Sequence, residues 1–143
     1  MQYVMNLMLF TAMTVLGVAI ISVPAHAQSG SRILANIPFD FSVGNTTLKA
    51  GTYTVEKLES GILAFSGNED KEHQFALTIP GDFGNQSQEA HLVFTRYGNE
   101  AFLTRVFLAG EDYRELLRSS RERDLIKNQA SGAELSLLIQ PAH

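Results

Sequence analysis

Histidines, the side chains best suited to proton transfer near neutral pH, are sparse in this sequence. His73 and His91 lie far apart and His143 is the last residue, so no pair has the spacing of a metal site on a helix or strand. The chain has no cysteine, which excludes thiolate chemistry, cysteine-based zinc sites and disulfide bonds. No Gly-x-Ser-x-Gly segment marks a nucleophile. The sequence therefore predicts no catalytic residue, no metal site and no cofactor.

A hydrolytic site that assembles only in the folded chain is an alternative. Asp40, His91 and Glu100 carry the groups that general acid–base chemistry requires. Asp40 lies on the polar side of a predicted strand, next to a proline-containing segment. In such a position a carboxylate more often caps a turn or keeps an edge strand from pairing with another molecule.

An arginine-rich segment carries the most distinctive charge pattern. Residues Glu111 to Asn128 contain no Gly or Pro and are rich in Glu, Arg and Leu, which is typical of a helix. Arg114, Arg118 and Arg121 recur there at steps of four and three, which predicts one helical face. Guanidinium groups in a row bind carboxylates or phosphates, so the three form a possible partner-binding surface for an anionic cell-envelope component. The interleaved glutamates favour instead a solvated helix held by weak ion pairs.

The first 27 residues predict a cleavable signal peptide. An apolar run from Leu7 to Val23 precedes any charged side chain, and Pro24 ends it. Ala25-His26-Ala27 then offers small residues at the two positions that a signal peptidase reads. An uncleaved anchor is the alternative, because the run is nearly long enough to span a bilayer and lacks a basic start. Residues 28–143 would form a single β-rich domain, secreted or periplasmic.

The charge balance narrows the class of partner. The chain has 11 basic and 15 acidic residues, a formal net charge of −4. Nucleic-acid binding needs a basic surface to neutralise phosphates, so this balance argues against it. Contact with a membrane is expected only if the N-terminal segment stays uncleaved.

Alternating apolar and polar residues predict that most other elements are strands. From Ile33 to Val43 every second residue is apolar, and Pro38 in this run indicates an edge strand or a bulge. Several shorter strands separated by turns follow. The pattern predicts a mainly β protein, a small antiparallel β-sandwich or barrel with one C-terminal surface helix.

One hairpin is predicted in detail. Gly98-Asn99 favours a two-residue turn. Simple counting from this turn sets Phe94 opposite Leu103 but Arg105 opposite Leu92, so both faces become mixed. We expect either a loop longer than two residues, or an Arg105 that is paired or extends out of the end of a barrel.

The same alternation predicts the core and the docking of the helix. We expect the helix to contact the sheet through Tyr113, Leu116 and Leu117, with its arginines in solvent. We expect one core that contains Phe39, Phe41, Tyr53, Val55, Phe75 and Leu77.

Four segments resemble a family of small secreted proteins of unknown function found in acidobacteria. They are Ile37–Gly44 (IPFDFSVG), Leu48–Val55 (LKAGTYTV), Thr95–Gly98 (TRYG) and Arg121–Arg123 (RER). The resemblance covers nearly all of residues 28–143, although members usually have Pro where this chain has Lys49. It implies secretion and a β-rich domain. The family has no assigned catalytic residues, so the resemblance implies no activity.

Three functional hypotheses follow from these observations. The first is a non-enzymatic exported domain that serves as a binding or structural module. The second is the extracytoplasmic hydrolase described above. The third is a carrier for a small apolar ligand, if the strands close into a hollow barrel.

We predict cleavage between Ala27 and Gln28, because the small residues of the cleavage site follow a helix-breaking proline. N-terminal sequencing of the exported protein measures this directly. A product that begins at Met1 would instead support the anchor.

Overall fold

The computed structural model describes residues 32–67, 73–81, 89–111, 113–128 and 130–139. The signal segment, its cleavage site and His143 lie outside these ranges. Within them, the chain forms ten strands, a short 3-10 helix at Glu59–Gly61 and one α-helix, α1, at Ser120–Lys127. The strands are β1 (Arg32–Ile37), β2 (Phe41–Val43), β3 (Thr46–Leu48), β4 (Gly51–Lys57), β5 (Ile62–Gly67), β6 (His73–Pro80), β7 (His91–Tyr97), β8 (Glu100–Phe107), β9 (Arg114–Leu116) and β10 (Ala133–Leu138).

The strands form a small β-sandwich with one helix, so the predicted fold class is confirmed. The strand order is β1-β4-β5-β6-β9-β8-β2-β3, with β7 beside β8 and β10 beside β7. All pairs are antiparallel except a short parallel contact of β2 with β8 at Ser42 and Phe102. The sheet does not close into a barrel. The hollow barrel that the carrier hypothesis requires is therefore not formed.

Pro38 divides the first predicted strand into two. β1 ends at Ile37 and pairs with β4, whereas β2 begins at Phe41 and pairs with β3 and β8. A proline has no amide hydrogen to donate, so neither ladder includes it. Both Ile37 and Phe41 are fully buried. The predicted alternation is correct on each side of the proline, but the two halves belong to different parts of the sandwich.

A β-bulge resolves the mixed faces predicted for the β7–β8 hairpin. The turn has two residues and Phe94 lies opposite Leu103, as predicted. The register then shifts between Val93 and Phe94, so that Arg105 lies opposite Val93. Thr104 is the extra residue, and its hydroxyl donates to the Val93 carbonyl at 3.0 Å. The bulge turns Arg105 to the outer face, where it is paired with Glu134 of β10.

The core lies between the layers and is rich in aromatic contacts. Phe41, Tyr53 and Val55 belong to it as predicted, and Phe39 packs against it while partly buried. The Phe41 ring meets Tyr53 at 5.3 Å and Phe94 at 5.6 Å, both edge to face. The largest fully buried side chains are Phe41, Phe65, Phe94, Ile37, Leu63, Leu92, Leu108, Val43, Val55 and Val106.

The prediction of which face of β6 is buried was wrong. Phe75 and Leu77 are 58% and 65% exposed, and Ala76 faces the core instead. Ala76 pairs with the fully buried Leu63 of β5. Paired residues share a face of the sheet, so the register with β5 places the two large side chains outside.

The long predicted helix is also corrected. Residues Arg114–Leu116 form β9, which pairs with β6 and β8, and α1 begins only at Ser120. Ser119 caps the helix, since its hydroxyl accepts the Glu122 amide at 3.0 Å. The Glu122 carboxylate accepts the Ser119 amide in return, which completes a capping box.

The residues predicted to dock the helix lie in or beside β9 instead. Leu116 is the buried last residue of β9, whereas Leu117 is 55% exposed. Tyr113 precedes β9 and stacks on Phe107 with ring centroids 4.9 Å apart. The only residue of α1 that is buried is Glu122, so a polar contact takes the place of the predicted apolar one.

We predict that Phe41→Ala lowers the free energy of unfolding by about 3–5 kcal/mol, because it removes a ring that contacts both layers. Phe75→Ala is the matched control and should change it by less than about 0.5 kcal/mol. Urea denaturation followed by circular dichroism measures both. Equal losses in the two variants would contradict the assignment of the faces.

Candidate functional site

The structure separates the three arginines that the sequence placed on one helical face. Arg114 lies in β9, Arg118 in the segment between β9 and α1, and Arg121 in α1. Among the described residues the Nε of Arg114 is buried without a hydrogen-bond partner. Arg121 donates two hydrogen bonds to Glu100, at 3.0 and 2.6 Å. The prediction of one arginine face was therefore wrong, because Arg114 and Arg118 lie outside α1.

The carboxylates considered for hydrolysis are held in structural roles. Asp40 accepts the Ala50 amide at 2.9 Å and the Lys49 ammonium at 3.0 Å, and these bonds lower its pKa. The paired guanidinium of Arg121 similarly lowers the pKa of Glu100. A lowered pKa makes a carboxylate a weaker base, and the bonds of Asp40 instead hold the bend at Lys49-Ala50.

The predicted hydrolytic groups do not converge. His91 begins β7 and stacks on Phe107, with ring centroids 4.1 Å apart. Glu100 begins β8 at the turn end of the same hairpin. The two ends of β7 are six residue steps apart, which is about 20 Å of extended strand. The structure therefore does not bring His91 and Glu100 together.

The described ranges contain neither a cluster of metal ligands nor a helix suited to crossing a membrane. No group of three or more His, Asp or Glu side chains there is arranged to hold a metal ion. No helix in those ranges has the length and apolar character needed to cross a bilayer.

A polar cleft of about 250 Å³ lies beside α1. Tyr97 of β7 donates a hydrogen bond to the buried Glu122. Burial raises the pKa of both groups, and the neighbouring Arg118 opposes this shift. The cleft is lined by Thr95, Tyr97, Thr104, Arg105, Tyr113, Glu115, Leu116, Arg118, Glu122 and Glu134.

The polar groups of this cleft mostly satisfy one another. Arg105 is paired with Glu134, and Glu122 is held by Tyr97 and by its own helix N-terminus. The Glu122–Tyr97 contact and the Arg121–Glu100 pair hold α1 on the β7–β8 hairpin. The polar groups of this cleft therefore serve mainly to attach α1 to the sheet.

A second cleft, of about 330 Å³, lies along β6, and we name it the edge groove. One wall is β6, and the other is formed by the turn between β2 and β3 together with the segment that leads into α1. The Ser120 amide donates to the Asn45 side chain at 3.1 Å and so ties these two parts of the second wall together. The lining residues are Gly44, Asn45, Thr46, Gln74, Phe75, Ala76, Leu77, Leu116, Leu117, Arg118 and Ser119.

The edge groove contains a free strand edge. Residues 73–77 of β6 pair with β5, whereas β9 covers only Thr78–Pro80 on the opposite edge. No other strand of the described chain pairs with that edge. The Phe75 carbonyl instead accepts the side-chain amide of Gln74 at 2.9 Å. A side chain thus satisfies a backbone acceptor that a neighbouring strand would otherwise engage.

Exposed apolar side chains accompany this edge. Phe75, Leu77 and Ile79 follow one another on the outer face of β6, and Leu117 lies across the groove. Single exposed apolar residues are ordinary, but a contiguous row beside an unpaired edge indicates a contact surface. Of the three arginines of the predicted partner-binding surface, only Arg118 lines the groove.

Sequence reasoning missed both the groove and the helix start. The helix start had a signal, because Ser119-Ser120-Arg121-Glu122 fits the capping-box pattern. The groove had none, since it arises from the lengths of two strands that are distant in sequence.

No family model, curated protein or solved structure matches this chain.

We predict that Glu122→Gln gains stability relative to the parent as the pH rises from about 4 to 7. The pKa of Glu122 is raised in the folded state, so its favourable contribution is present at low pH and is lost as the carboxyl ionises. Glutamine can keep the capping box but cannot ionise. Urea unfolding of both proteins across this range measures the difference, and a gap independent of pH would contradict the assignment.

Proposed function

We propose that this chain is an exported, non-enzymatic binding module of the cell envelope or extracellular space, and that its partner contacts the edge groove. The observation that carries the proposal is the unpaired edge of β6 within a groove lined by exposed apolar side chains. The N-terminal apolar segment and the family resemblance support export. Both are properties of the sequence.

The edge groove has a fixed shape, which favours a binding site over a row of apolar residues that are merely exposed. The second wall is held by the hydrogen bond between Ser120 and Asn45, and Leu116 lies buried beneath it. A groove held in shape before binding loses little conformational freedom when a partner enters. Apolar contact with Phe75, Leu77 and Leu117 then provides the driving force.

The residues with acid–base chemistry support the non-enzymatic reading. The Ala50 amide and the Lys49 ammonium lower the pKa of Asp40, and Arg121 lowers the pKa of Glu100. His91 is stacked on an aromatic ring and hydrogen-bonded to the Glu89 carbonyl. These contacts are those of structural residues.

We predict that Phe75→Glu abolishes capture of the partner from envelope extract while the domain stays folded. A carboxylate at this exposed position places a charge in the apolar part of the groove and leaves the core intact. Leu138→Glu is the matched control, because Leu138 is 69% exposed on β10 and does not line the groove. Immobilised parent and variant domains are compared by mass spectrometry of the captured proteins.

Two outcomes of this comparison would contradict the proposal. One is capture of the same proteins by the parent and Phe75→Glu. The other is equal loss in both variants, which would place the contact elsewhere. Circular dichroism of each variant confirms that the fold is kept.

A further inference from the structure

Resting on the proposed function, we propose that the partner enters the edge groove as an extended β-strand. This strand pairs with residues 73–77 of β6 and places a carboxylate beside Arg118. The partner is thus a polypeptide segment of mainly apolar character with an acidic residue at one end. Three features around the edge groove point to this partner. They are the free edge of β6, the exposed apolar side chains of Phe75 and Leu77, and the guanidinium of Arg118.

The backbone of β6 offers hydrogen bonds to such a strand. Successive residues of a strand direct their amide and carbonyl groups to opposite edges. The Phe75 carbonyl meets the Gln74 side chain, so Phe75 directs its groups to the free edge. His73 and Leu77 are two residues away on either side and share this direction. An incoming strand displaces the Gln74 amide and pairs with all three residues.

The position of β9 supports this geometry. β9 pairs with β6 along the same edge, and its ladder with β6 ends where Leu116 lies opposite Thr78. Beyond that point the chain leaves the sheet toward α1. The edge groove continues the path that β9 occupies. A strand that enters it extends an existing ladder and needs no rearrangement of the sheet.

The side chains around the groove specify the composition of the strand. Phe75 and Leu77 lie exposed on the outer face of β6, so partner residues beside them are apolar or β-branched. Among the described residues that line the groove, none is acidic, and Arg118 is the one with a charge. Arg118 makes no ion pair in the described part of the chain, although Glu122 is within electrostatic reach. A partner carboxylate complements it.

The shape of the groove favours one isolated strand over a second folded copy. The turn at Gly44–Thr46 and the segment Leu117–Ser119 lie opposite β6. The groove between these walls has a volume of about 330 Å³, which suits a narrow extended segment better than a folded domain. The edge of a folded sheet would bring its own neighbouring strands against them.

The test uses a fluorescent synthetic peptide of alternating Val and Thr residues with Glu at one end. Fluorescence anisotropy measures its binding to the full domain. We expect saturable binding that is weakened about tenfold or more when alternate peptide amides are N-methylated, because each methyl removes a donor and keeps the side chains. Replacing the terminal Glu with Lys should also weaken binding. Arg118→Gln should remove the difference between these two peptides.

Protein variants and hydrogen exchange complete the design. Phe75→Glu should lose the peptide, and Leu138→Glu should bind it like the parent. The amides of Phe75 and Leu77 should exchange more slowly in the complex. Equal affinity of the N-methylated peptide, or unchanged exchange at both amides, would overturn the strand geometry. Dimerisation of the parent that Phe75→Glu abolishes would identify a second copy as the occupant and overturn the proposal.

The outcomes also separate this inference from the proposed function. If the peptides fail to bind while capture from envelope extract still depends on Phe75, the groove binds a partner in another form and the inference fails alone. If neither peptide binding nor capture depends on Phe75, both proposals fail.

Discussion

The structure depends first on the position of Phe41, which joins the two layers of the sandwich. Its ring contacts Tyr53 in one layer and Phe94 in the other. Pro38 makes this possible, because a residue without an amide hydrogen ends the ladder of β1 and frees the chain to cross. Without cysteine, no disulfide can replace this contact. The interior is held by packing, of which the aromatic contacts are a substantial part.

The sequence predicted the fold class because alternation is a local property. β1, β2, β4 and the β7–β8 hairpin follow from it, including the opposition of Phe94 and Leu103. The facing of β6 does not. Phe75 and Leu77 alternate as core residues would, yet the smaller Ala76 faces inward because Leu63 of β5 sets the register. Which face of an amphipathic strand is buried depends on its partner, and single-sequence alternation cannot supply that partner.

The start of the helix was predicted wrongly from composition, although the capping-box pattern at Ser119 to Glu122 marked it correctly. The residues from 111 onward have helix propensity, but β6 and β8 both offer an edge that Arg114–Leu116 can pair with. Tertiary pairing overrides a weak intrinsic preference. The capping box at Ser119 and Glu122 marks the true start, since it satisfies amides that the first turn leaves free. The candidate site could not be predicted, because it arises where the eight residues of β6 extend beyond the three of β9.

The Gln74 side chain satisfies a backbone acceptor at the free edge of β6 without covering that edge with another strand. It occupies the Phe75 carbonyl from within the same strand, so an empty domain carries no orphan acceptor there. In the proposed complex, a partner strand replaces the Gln74 amide at this carbonyl, so the acceptor is satisfied both before and after binding. This exchange costs little in either direction, which suits a reversible contact.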